Sequence, residues 1–198
     1  MNNQNQPQLL LARIMVEPDI APIMHELAEK LPEVFRHSIN VAYLTAEICY
    51  SELGNELVDV IDNKIDTIKG ALLHDIGKLD IPIDVLHKTE TLTDEDIALI
   101  HKHPIFGYNR IKNKPGFSNI TKEIILHHHE KLDGSGYPHN IKKINYCTQL
   151  VAFADMYDAL TENRPYRAKK SLYDTYQILN NEHLNSDLFL MLVSCLDR

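Results

Sequence analysis

From Ala21 to Leu53 apolar residues recur every three or four positions, at Ile23, Leu27, Leu31, Val34, Phe35, Ile39, Ala42, Leu44, Ala46 and Ile48. That spacing draws one apolar stripe along a helix. Pro32 splits the stretch into a short helix and a longer one, because proline has no amide to donate. The longer one carries Glu33 and His37 near its start, and Gly54-Asn55 is its expected stop. Helical signals continue to the end of the chain. A helix is expected from Glu56 or Asp66 to Asp75, with Gly77 beyond it, and then a short segment from Leu79 to Leu86 containing Pro82. Thr93 reads as the cap of a helix with an acidic first turn that reaches His101. Pro104 opens another, to about Ile111. Further helices are expected from Asn119 or Thr121 to Glu130, Tyr146 to Glu162, Ser171 to Glu182 and Asp187 to Leu196. No alternating strand series with hairpin turns interrupts them. The expectation is an all-α domain over residues 21–198, preceded by an N-terminal tail over residues 1–20.

Composition narrows the function classes. A chain of 198 residues with 44% hydrophobic content can bury a substantial core. The formal charge of −8 argues against a nucleic-acid polymer as partner. No apolar stretch has the length of a membrane span, and the polar, uncharged start lacks the basic region of a signal peptide. The three cysteines stand far apart and form no CxxC pair, so neither a disulfide framework nor a zinc ribbon is indicated. A cytoplasmic location fits them.

The histidines and acids fall in short clusters without thiolate, a donor set suited to Mn, Fe or Mg. His74-Asp75 sits inside Ala71-Leu72-Leu73-His74-Asp75-Ile76-Gly77-Lys78, where an unpaired carboxylate would be costly. Adjacent helix residues point about 100° apart, so both can face one metal only if the helix ends there. A core histidine beside a surface acid is the plainer alternative. Glu33 and His37 share a helix face at i, i+4, as a metal pair or a solvated one. His103 before Pro104 serves equally well as a helix-junction residue. His127, His128 and His129 cannot all face solvent on one helix, and those turned inward need partners. Asp155, with Asp158 three residues on, lies in an apolar stretch where an acid calls for a cation or a partner, unless both acids sit on the helix surface. Asp133-Gly134-Ser135-Gly136-Tyr137-Pro138 is either a plain turn or a ligand-facing wall with Tyr137 exposed. Arg164-Pro165-Tyr166-Arg167 offers two guanidinium groups suited to phosphate.

Taken in order, His74 to Lys78, His103-Pro104, His128-His129-Glu130, Asp133 to Pro138, Asp155 with Asp158 to Thr161, and Arg164 to Arg167 resemble the HD-GYP subgroup of HD-domain phosphohydrolases. The resemblance covers about residues 33–180. It implies a helical bundle with a metal centre in its core, and hydrolysis of cyclic di-GMP. It implies that His37, His74, Asp75, His103, His128, His129 and Asp155 bind metal, with Glu33 matching an acid that holds a third ion in some members. Two or three divalent ions, Fe or Mn, are the expected cofactors. Asp75 and Lys78 would serve the chemistry. Lys78, Tyr137, Arg164 and Arg167 would contact substrate, and His127 has no role. Lys131-Leu132 departs from the more usual Arg-Trp at that point and removes no ligand.

The mechanism expected from this set is attack by a metal-bridging hydroxide, giving pGpG and then GMP. A catalytically weak cyclic-dinucleotide-binding module and an HD phosphohydrolase acting on another nucleotide are the alternatives. The expected enzyme either stands alone or is regulated by a protein partner or a homodimer, with no membrane involved.

Overall fold

The structure is a computed structural model that describes residues 6–51, 63–161, 170–180 and 193. The helices are α1 (Gln6–Met15), α2 (Ala21–Lys30), α3 (Pro32–Tyr50), α4 (Lys64–Leu73), α5 (Ile83–Leu86), α6 (Asp94–Ile100), α7 (His103–Ile111), α8 (Asn119–His127), α9 (Tyr146–Thr161) and α10 (Leu172–Asn180). A 3-10 helix, Ile76–Asp80, joins α4 to α5. No strand occurs among the described residues, and no helix among them is long and apolar enough to cross a membrane.

Helix α4 packs between α3 and α8, and α9 lies across all three. Their inward residues form the core, including Val41, Ile68, Leu72, Leu73, Ile124, Leu150 and Phe153. Every residue of α9 from Cys147 to Asp155 is buried, which is the environment of a helix apolar on all sides. That burial places Asp155 inside the bundle, where a carboxylate needs a cation or a donor.

Local sequence explains the boundaries that matter to the site. Pro32 stands at the first turn of α3, and Leu31 leaves helical geometry at φ −139°, ψ 67°. Thr93 makes a reciprocal capping box with Asp96 at the start of α6. Ser118 accepts from the Thr121 amide and starts α8. Helix α4 stops at Leu73, and Asp75 adopts φ −98°, ψ 4°, the sparsely populated region between α and β. The chain then tightens, with the Lys78 amide donating to the Asp75 carbonyl at 3.0 Å. Because the helix ends there, His74 and Asp75 can both turn into the core.

Residues 6–15 correct the expected tail over 1–20. They form α1 and pack on α3, burying Pro7, Leu11 and Ile14. Leu11 and Ile14 are i, i+3 neighbours on one helix face, an apolar pair that the polar start of the chain masks. The expected stop at Gly54-Asn55 and the helix from Asp187 to Leu196 fall outside the described residues, apart from Val193.

Candidate metal centre

Seven of the nominated residues converge where α3, α4, α7, α8 and α9 meet. One group whose ligand atoms lie within 4.8 Å of one another is Asp75, His103, His128 and His129; a second is His37, His74 and Asp75; a third is His74, His128 and Asp155. Asp75 belongs to the first two. His37, His74, Asp75, His103, His128 and Asp155 are all buried.

Backbone carbonyls set the tautomers. His74 donates Nδ1–H to the Ala71 carbonyl at 2.7 Å, His103 to Ile100 at 2.8 Å, and His128 to Ile125 at 3.0 Å. A neutral imidazole carries one N–H, so each Nε2 is left as a bare lone pair turned inward. His103 Nε2 and His128 Nε2 stand 3.2 Å apart, and His103 Nε2 lies 3.3 Å from Asp75 Oδ1. Lone pairs at such separations repel unless a cation lies between them. His74 Nε2 and Asp75 Oδ1 are buried and have no hydrogen-bond partner. These orphaned acceptors, all nitrogen and oxygen, fit divalent transition-metal ions. The Nδ1–H to carbonyl bonds are the outer support that metal-bound histidines carry.

Charge is distributed accordingly. Burial pushes His103 down to about 3 and His129 to about 4, and it holds His128 well below the usual imidazole range. Burial opposes ionisation of Asp75, yet the Lys78 ammonium outweighs it and holds the carboxyl well below its ordinary value. Asp155 is also lowered, because its hydrogen bond from the His37 imidazolium overcomes burial. His37 behaves oppositely. Burial disfavours its charge, but Asp155 at 2.8 Å from Nε2 and Asp158 at 2.6 Å from Nδ1 raise it to about 9.

These shifts fix the sign of a pH prediction for chelator-treated protein. The lowered histidines stabilise the fold above pH about 6.5, and that contribution is lost as pH falls toward 4 and then 3. The raised His37 stabilises below pH about 6.5, and its share is lost as pH rises through about 9. Melting temperature measured in EDTA is therefore expected to peak near pH 6.5, with the steeper fall on the acid side. A flat profile between pH 4 and 9 would contradict this balance.

The remaining nominated residues are placed differently. Lys78 Nζ donates to Asp75 Oδ2 at 2.6 Å, so it faces the cluster. Glu33 is not brought into the cluster; its carboxylate pairs with His87 Nε2 at 3.1 Å near the surface. The i, i+4 spacing with His37 is real, but the start of α3 carries Glu33 toward α5. Tyr137 stands half-buried on the wall of a cavity rather than fully exposed. Its ring lies between His129 and His101, with centroids 4.6 and 3.9 Å away, and burial raises its hydroxyl pKa. His127 lies outside the three groups and faces His139 at 5.6 Å. Arg164 and Arg167 fall outside the described residues.

Three further residues shape the site. Asp158 holds His37 Nδ1, a partner that its place three residues after Asp155 foreshadows. Glu130 is buried and accepts from the His139 and Ile141 amides at 2.6 and 3.1 Å, tying the glycine loop to the end of α8. The Tyr137 amide donates to the His129 carbonyl at 3.1 Å, and the Tyr137–Pro138 bond is cis. His101 stacks on Tyr137 and carries no sequence signal beyond standing two residues before His103.

The family profile described as "HD domain" matches residues 23–187. A cyclic di-GMP phosphodiesterase of Thermotoga maritima is 34% identical over 86% of this chain and 46% of its own length. A 3'3'-cGAMP-specific phosphodiesterase of Vibrio cholerae is 33% identical over 88% of this chain and 41% of its own length. The chain thus spans less than half the length of these curated relatives. Among solved structures, an HDG"Y"P protein from Bdellovibrio bacteriovorus superposes with a TM-score of 0.65 at 23% identity, covering 99% of this chain and 59% of that one. The PgpH HD domain of L. monocytogenes in complex with cyclic-di-AMP gives 0.60 at 16% identity, covering 88% of this chain and 94% of that one. Likeness at these identities speaks for the fold alone. The chain belongs to the HD-domain family, and the order of its motif strings is that of the HD-GYP branch.

Proposed function

We propose that the domain is a metal-dependent phosphodiesterase that opens cyclic di-GMP to pGpG and then GMP. The observation that carries this reading is the set of inward lone pairs, with His103 Nε2 and His128 Nε2 3.2 Å apart beside an unpartnered Asp75 oxygen. The curated relatives' names supply the substrate class. Divalent ions held by the seven residues would supply an acidified water and neutralise phosphate charge. Asp75 is the one carboxylate that belongs to two of the three donor groups, as His74 and His128 also do among the imidazoles. Lys78 steadies that carboxylate and adds positive charge on the side where phosphate would sit. Asp158 accepts from His37 Nδ1 and so fixes which imidazole edge faces Asp155.

Two ions, Fe or Mn, fit the groups best, with Glu33 outside them. Glu33→Gln is accordingly expected to leave the metal count per chain unchanged, measured by elemental analysis; a count lower by one would restore Glu33 as a third-ion ligand. Arg164 and Arg167 are assigned the substrate phosphates by motif position. Arg164→Ala is expected to raise KM about tenfold with kcat within a few-fold, the ~1.4 kcal/mol of a charge-assisted contact. An unchanged KM would remove Arg164 from the binding set. Regulation by a protein partner or a homodimer, and a reducing cytoplasm suited to the buried thiols Cys49 and Cys147, complete the reading.

The test is protein purified without oxygen, loaded with Fe or Mn and incubated with cyclic di-GMP. Appearance of pGpG and GMP supports an enzyme, and binding without product supports a sensing module instead. A second reading, hydrolysis of 3'3'-cGAMP, is favoured by the name of the Vibrio cholerae relative. Competition between the two substrates at equal metal loading separates them.

A further inference from the structure

We propose that His101 is the stacking platform for one base of a cyclic dinucleotide, an inference that rests on the phosphodiesterase reading. His101 ends α6, and its side chain is exposed. Its ring lies on Tyr137 with centroids 3.9 Å and planes 10° apart, a near-parallel stack. The opposite face of Tyr137 rests on His129 at 4.6 Å and 27°, and His129 shares a donor group with Asp75. The three rings therefore form a column that begins at the candidate metal centre and ends at solvent.

Both faces of Tyr137 are covered, so the tyrosine offers a base only its edge. The outer face of His101 is different, because no second ring packs against it among the described residues. A cavity of about 380 Å³, lined by His101, His129, Tyr137, Ser135, Lys131 and Met156, runs alongside the column. That volume lies in the range of small-ligand sites. A substrate whose reacting phosphate sits at Asp75 and His129 and whose far base covers His101 would extend the column by one layer. Base–aromatic stacking tolerates any base and depends on a fixed ring plane. The column supplies that plane: Tyr137 is anchored by its amide to the His129 carbonyl, and α6 is capped by Thr93.

A bracing role for His101 predicts something else. A residue that only steadied Tyr137 would affect kcat and metal content when removed, whereas a platform affects KM. His101→Ala is expected to raise KM for cyclic di-GMP about tenfold, one stacked base, with kcat within about twofold and metal content unchanged. His101→Trp is expected to restore KM to the wild-type value or below. It should also quench the fluorescence of a cyclic dinucleotide carrying 2-aminopurine, through contact with the indole. Loss of kcat or metal in the alanine variant, or an unquenched probe on the tryptophan variant, overturns the platform. Probe binding is read without turnover. Wild-type protein that binds but does not hydrolyse therefore overturns the enzyme reading and leaves the stacking result standing, while absence of binding overturns both.

Discussion

Asp75→Asn is expected to lower turnover by about three orders of magnitude or more and to reduce bound metal together with it. The side chain is 2% exposed, and its two oxygens face different partners. Oδ2 accepts from Lys78 at 2.6 Å, while Oδ1 points at His103 Nε2 from 3.3 Å with no hydrogen bond. Asparagine keeps the shape but removes the charge that Asp75 brings to two of the three donor groups. Its amide would also turn an N–H toward Lys78 or toward the inward imidazoles. Loss of that one charge from a desolvated site is worth at least the ~4 kcal/mol that a thousandfold in rate requires. The check is elemental analysis beside steady-state kinetics on the same sample. Full metal content with full activity would remove Asp75 from the centre.

Gly77→Ala is the second large effect, and it acts through backbone. A Cβ at residue 77 would lie 1.9 Å from the His103 carbonyl oxygen and 2.4 Å from the Gly107 nitrogen. Neither is the tip of a flexible side chain, so the 3-10 helix and α7 must separate. Overpacking of this kind costs about 3 kcal/mol, at the upper end of its usual range. For a domain of this size that is roughly 6–12 °C in melting temperature. The separation also draws His103 away from Asp75, so metal affinity should fall with stability. Gly107→Ala is the control. Its Cβ would meet the Ile125 Cγ2 methyl at 2.9 Å, a side-chain rather than a backbone clash and a full ångström longer than that at Gly77, and the Gly77 nitrogen at 3.3 Å. Equal melting temperatures for the two variants would show that the contact between the 3-10 helix and α7 is looser than its geometry.

Much of the fold was legible because the signals are local. Pro32, Thr93 and Pro104 each act within one helical turn, and each marks a boundary of α3, α6 or α7. The helix stop that lets His74 and Asp75 face the same way could be anticipated from Gly77. Its main purpose, close approach to His103, depends on a partner 26 positions away and leaves no local trace. The tail was misjudged because the polar first residues hid the apolar face of α1. At the site, buried acids and histidines could be nominated from their apolar surroundings. The direction of Glu33 toward His87, and the covering of Tyr137 by His101, are set by where α5 and α6 end in space. Periodicity carries no such information.

His37 and Asp155 are separated by 118 residues in the chain and by 2.8 Å in space. The group of Asp75, His103, His128 and His129, by contrast, needs only the chain from α4 to the end of α8. During synthesis that group can gather before α9 has left the ribosome, whereas the side containing His37 and Asp155 must wait for it. By chain order the donors thus fall into one set complete at His129 and one that only Asp155 completes.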